Sequence, residues 1–302
     1  MVVELPKPAD LGTTVSYHIR FGGGVKVDKN ASKELRKDKG VKGKKRAKVV
    51  VDIFDSPYLD HAKKIGAGLR TFVYKNTLPW GDDGRRFLPN ATKLKFDAEV
   101  SQRVVMIREV MEKHFKDLPR LKKRWENEGG DLAKDENNII WPTEAEARLK
   151  FSIDIDPGTI EDMDDVRVGA LPKEHQERFI ADVRAAEERR MNKTVQDVSA
   201  RVVEVLERVV DRTKQYGKDK DGKVVGSFTN TLISNVRELA GLLEHFNITG
   251  DPEIEDVRRR MVNDICHINP EDLKESESLR KETGEKAQDI LERVGMFGRK
   301  RD

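Results

Sequence analysis

The chain has 302 residues, 36% hydrophobic and 37% charged, apolar-poor and charge-rich against ordinary globular averages. Such a balance suits an elongated helical protein better than a compact α/β enzyme, and the length suits one large domain or two modest ones. The net charge is only +3, so a polyanion-binding surface needs local segregation, and the one cysteine, Cys266, excludes an internal disulfide or a cysteine-based metal cluster.

No apolar run approaches the ~20 residues of a membrane span. The start MVVELPKPADLG has neither the basic opening nor the apolar core of a signal peptide. These features lead us to expect an intracellular, cytoplasmic protein that does not enter a membrane.

Thr13 to Phe21 alternates apolar and polar residues, which predicts a strand. Three glycines, 22–24, break it, and Val25 to Val27 reads as a short return strand. No GxxxxGK[ST] follows the glycines, so a turn is expected there and not a phosphate loop.

Lys33 to Lys48 is the sharpest charge segregation in the chain, with nine basic residues and two acidic ones. Such a block reads as a solvated, mobile loop, or as an arm that orders on a polyanion. Val49 to Phe54 is apolar, and periodicity alone does not assign it to strand or helix.

Ser56-Pro57 predicts a helix start, with a hydroxyl N-cap and proline at N1. Leu59, Ala62, Ile65, Leu69, Phe72 and Val73 make its apolar stripe. Gly66 and Gly68 inside it each disfavour helix by about 1 kcal/mol against alanine, so a close backbone approach is expected. Pro79 ends the helix. The loop beyond it offers Trp80, Arg85, Arg86 and Phe87 around Gly81-Asp-Asp-Gly84.

This stretch has two readings. In one, Lys63, Arg70, Lys75, Arg85 and Arg86 neutralise phosphates while Tyr74 or Trp80 stacks on a base. In the other, which large aromatics favour in general, Trp80 and Phe87 fill the core and the cations are merely solvated.

A helix is predicted over Phe96 to Phe115, with Val100, Val104, Ile107 and Met111 on its stripe and His114 at its edge, as a surface or boundary residue. Leu118 to Trp125 extends it or begins another after Pro119. Residues 128–138 read as a loop, and a short helix follows Thr143. Phe151, Ile153 and Ile155 alternate, and Val166 and Val168 follow an acidic loop. These strands are expected to pair with Thr13 to Phe21. Carboxylates between Asp154 and Asp165 suit an oxygen-ligated cation, but their spacing is not that of an EF-hand, and no metal or cofactor site is assigned.

Pro172 to Tyr216 is the longest periodic segment. As one helix it would span roughly 65 Å, so it projects or kinks, with its charged first half exposed or against a partner. Phe228, Leu232, Val236, Leu239, Leu243 and Phe246 form a seam on the next helix, so the two are expected to fold back as an antiparallel hairpin. Asp251-Pro252 and Asn269-Pro270 each open a further helix, and a last one covers Lys281 to Val294. The six histidines form no HExxH or HxH, and no GxSxG occurs, so no enzyme is expected.

Two segments, IGAGLRTFVYKNTLPWGDDGRRFLP and SFTNTLISNVRELAGLLEHFNITGDPEIEDVR, resemble a family of uncharacterised tailed-bacteriophage proteins. That family overlaps a bacterial domain of unknown function often encoded near MoxR-type AAA+ ATPases and von Willebrand A proteins. The resemblance runs from about residue 13 to 294, implies an α-rich fold and a place in the host cell cytoplasm, and transfers no active-site residue.

The expectation is therefore a predominantly helical α+β fold, with an N-terminal part, 1–170, and a C-terminal helical part, 171–302. The expected function is binding of nucleic acid, single-stranded DNA above all, in phage replication or recombination. Lys37, Lys39, Lys42, Lys44, Lys45 and Arg46 would attract the strand, while Lys63, Arg70, Tyr74, Lys75, Trp80, Arg85 and Arg86 would touch it. The alternative is an adaptor that docks on a AAA+ ATPase, another protein or itself through the 172–246 helices.

Overall fold

A computed structural model describes residues 8–81, 83–134, 140–160, 172–218, 224–226 and 231–297. The fold is α+β and mostly helical, and no helix among the described residues is long and apolar enough to cross a membrane. The chain forms two compact units: Met1–Ser16, Lys75–Leu94 and Pro157–Asp302 make the first; Tyr17–Tyr74 and Lys95–Asp156 make the second. This interleaved division differs from a boundary near residue 170. Strands β1 (Gly12–Phe21) and β6 (Phe151–Gly158) and helices α3 (Pro57–Asn76) and α4 (Asn90–Glu128) each run from one unit into the other. Periodicity reads an element as one object and does not reveal that its two ends join different cores.

One sheet has the order β4-β5-β1-β6, where β4 is Leu78–Pro79 and β5 is Arg86–Pro89. Strands β1 and β5 are antiparallel, with Thr14 opposite Phe87. The expected neighbour of Thr13 to Phe21 is thus β6; the segment at 166–168 lies outside the described residues. The return strand corrects the sequence reading. β2 (Val25–Asp28) pairs not with β1 but with β3 (Val49–Asp52), which settles the ambiguous apolar run as a strand.

In the first unit, α7 (Lys173–Gln215) is one helix of 43 residues. Its buried positions begin at Thr194, as expected of a charged first half. The short strands β7 (Gly217–Lys218) and β8 (Val224–Val225) pair antiparallel before α8 (Thr231–Phe246). Leu232, Val236, Leu239, Leu243 and Phe246 of the predicted seam are all buried; Phe228 is outside the described residues. Helix α11 (Glu277–Phe297) also lies along α7, antiparallel to it, for Arg280 sits over the Tyr216 ring and Gly284 against Thr213. Asp251 and Asn269 cap α9 (Pro252–Arg260) and α10 (Pro270–Glu275) as read. Between them, Met261–Cys266 is a π-helical turn that the sequence did not signal, and Arg237 donates to the carbonyl of Cys266 at its end and to that of Ile268 beyond it.

In the second unit, Leu59, Ala62, Leu69 and Val73 of α3 and Ile107, Met111, Phe115 and Leu118 of α4 are buried. Helix α4 continues through Pro119. Two short helices follow, α5 (Gly130–Lys134) inside the predicted loop and α6 (Glu144–Leu149) with Thr143 in a capping box. Gly66 accounts for the glycine inside α3, since a Cβ there would lie 2.6 Å from Cζ of Phe21. The Tyr17 hydroxyl donates to the Gly66 carbonyl at 3.1 Å. Burial pushes Tyr17 up to about 12, against the opposing pull of Arg70. His114 is not a surface residue, as the sequence suggested, but fully buried. Its Nδ1 is 2.9 Å from Oγ of Ser56, the hydroxyl that also accepts from the Leu59 N–H and opens α3.

Candidate nucleic-acid interface

The block from Lys33 to Lys48 begins as helix rather than loop. Helix α2 (Lys29–Asp38) opens on Asp28, whose carboxylate accepts from the Ala31 N–H at 2.7 Å. It ends at Gly40, in the left-handed region at φ +61°. Gly40 N–H donates to the Lys37 carbonyl and Val41 N–H to the Arg36 carbonyl, the paired bonds of a Schellman ending.

The turn beyond is anchored at its base. The Arg36 guanidinium donates to the Ala47 carbonyl at 2.9 Å. Ser32, buried in α2, donates to the Asp28 carbonyl and accepts from the Val49 N–H at 2.9 Å. One side chain thereby ties the helix start to strand β3.

Lys37, Lys39, Lys42, Lys44, Lys45 and Arg46 project from this frame and are all exposed. No carboxylate occurs between residues 39 and 48. Among the described residues, none of the six is ion-paired. The wider charge follows the same division: the second unit has 27 basic and 20 acidic residues, a net +7, while the first has 31 and 35, a net −4.

The basic-aromatic stretch divides differently. Arg70 and Tyr74 lie exposed on α3, the guanidinium 5.3 Å from the ring centroid, and Lys63 pairs with Asp60 at 3.8 Å. These three belong to the second unit with the turn. Lys75, Trp80, Arg85 and Arg86 belong to the first.

There the stacking role read from the sequence for Trp80 needs correction. Trp80 is 5% exposed, its ring 5.4 Å from that of buried Phe87, so no base can stack on its face from solvent. Arg86 donates to the Thr77 hydroxyl at 2.6 Å and to the Thr77 carbonyl at 2.9 Å. Lys75 pairs with Glu238 at 2.6 Å and Arg85 with Asp83 at 3.2 Å. Core packing, the second reading of this stretch, describes Trp80 and Phe87.

Sequence reasoning missed the residues that build the turn. Asp28 before Lys-Asn-Ala and Gly40 after Lys39 are ordinary cap signals that would have revealed α2. Arg36 gave none, since its acceptor lies 11 residues away. Of the metal candidate, Asp154 and Asp156 are exposed and residues 161–165 lie outside the described residues.

No family model, curated protein or solved structure matches this chain.

Proposed function

We propose that the protein binds nucleic acid, single-stranded DNA in particular, through the cationic turn at residues 37–46. The observation that carries this reading is six exposed cations without ion pairs on a turn anchored by Arg36 and Ser32. Unpaired cations gather counterions that a polyanion can replace, and the released ions drive binding. Arg70 and Tyr74 on α3 of the same unit offer a further cation and an exposed ring for a base. Replication or recombination of a phage genome is the setting we propose for this binding.

Fluorescence anisotropy with a labelled 30-nucleotide single strand tests the proposal. Affinity should fall steeply with salt, with a log–log slope of about −4 if all six cations meet phosphates. Absent binding at low salt, or binding indifferent to salt, would refute it.

A second reading, an adaptor docking through α7, has one specific observation behind it. No residue between Lys173 and Lys193 is buried, and Phe179 is 44% exposed. Light scattering that returns a monomer, with no protein recovered on the immobilised chain, would count against it.

A further inference from the structure

The first unit contains a pocket of about 720 Å³ that the nucleic-acid reading does not use. Its size is that of sites for small organic ligands. Trp80, Ile160, Val183 and Ala186 supply an apolar wall. Arg85, Arg189, Arg190 and Lys193 supply cations, against the carboxylates of Asp83 and Glu187.

Arg85 is held in place before any ligand arrives. The N–H groups of Trp80 and Gly81 both donate to the Arg85 carbonyl, at 3.1 and 3.3 Å. The Asp83 carboxylate accepts from the Arg85 backbone N–H at 3.1 Å and pairs with its Nε at 3.2 Å. Arg85 Nη1 reaches across to Gly158, where a Cβ would stand 2.6 Å from it.

Thr14 is the second, independent sign of a ligand. It lines the same pocket, is 2% exposed, and its hydroxyl has no hydrogen-bond partner. A buried hydroxyl left unbonded is destabilising unless something else supplies the partner. A Cβ on Gly158 would lie 2.5 Å from this hydroxyl, so Thr14 Oγ1 and Arg85 Nη1 both close on a glycine whose missing side chain lets them approach.

We infer that this pocket binds a nucleoside monophosphate. The phosphate would accept from the Thr14 hydroxyl and Arg85, with Arg189 and Arg190 at the rim, and the base would lie against the Ile160–Val183–Ala186 side. Charge-assisted bonds fix the anion, and the apolar wall asks for a ligand with a weakly polar end. A bare anion satisfies one half of the pocket and a nucleoside the other.

Titration calorimetry of the full chain with AMP, inorganic phosphate and adenosine tests this. AMP should bind at one site with a Kd below about 1 mM, at least about tenfold tighter than phosphate or adenosine. R189A/R190A, at exposed positions, should weaken AMP by about tenfold with an unchanged thermal midpoint. T14V should weaken AMP several-fold while the ligand-free midpoint stays level or rises, because an unsatisfied hydroxyl has been removed. No AMP binding at millimolar concentration overturns the assignment. So does phosphate or adenosine matching AMP, or both variants binding AMP like the parent. Alanine at Lys42, Lys44, Lys45 and Arg46 should leave AMP binding intact, so the pocket and the oligonucleotide surface can fail separately.

Discussion

The turn at 37–46 and the segment at 75–86 read alike in sequence, as clusters of lysine and arginine, yet the fold uses them in opposite ways. On the turn, Arg36 satisfies backbone carbonyls at the base and leaves its neighbours to solvent. Between 75 and 86 the cations face protein groups: Lys75 meets Glu238, Arg85 meets Asp83, and Arg86 holds both oxygens of Thr77. The difference lies in what surrounds each cluster. The turn has no carboxylate from 39 to 48 and no aromatic ring to bury. The segment surrounds the buried Trp80 and runs up to the buried Phe87, and each of its cations has a partner within reach.

Substitutions in the segment should therefore change stability. Trp80→Ala should lower it most, by about 3–5 kcal/mol in chemical denaturation, because it empties part of the first unit's core. Arg86→Ala should cost about 1–3 kcal/mol, for it removes the charged donor from the hydroxyl of fully buried Thr77, while Arg201 still donates to the Thr77 carbonyl at 2.8 Å. Loss of less than about 0.5 kcal/mol would mean that Arg86 is a surface cation after all, and would blur the contrast.

A smaller effect should appear in the second unit on acidification. Burial holds the His114 imidazole below its ordinary value of 6.5, so the folded state favours the neutral ring. Its contribution is complete above about 6.5 and is lost as pH falls from there through the lower folded value. Thermal midpoints of the parent should drop over that window more than those of His114→Gln, and parallel curves would show that the ring is not held neutral. Least affected should be Lys75→Ala, at most about 1 kcal/mol, since its partner Glu238 is half exposed.

Much of the helical architecture was legible, because capping residues and apolar spacing act locally. Asp251-Pro252, Asn269-Pro270 and the seam from Leu232 to Phe246 fall where the sequence puts them. Gly66 was legible as a close approach, though its neighbour Phe21 was not. What was hidden depends on partners distant in sequence. The β2–β3 pairing closes over a whole helix, and His114 meets Ser56 across 58 residues. The pocket was hidden for the same reason, for Thr14, Arg85, Gly158 and Arg190 come from four separate stretches. Of the candidate interface, the charge segregation was legible, and the sorting of paired from unpaired cations was not.

The contrast is tested most directly by the salt dependence of single-strand binding in two variants measured side by side. Alanine at Lys42, Lys44, Lys45 and Arg46 should flatten the log–log slope by about 3 and weaken binding at low salt by orders of magnitude. Alanine at Lys75, paired with Glu238, should leave the slope where it was. Equal losses in the two variants, or an unchanged slope in the first, would contradict the division between available and committed cations.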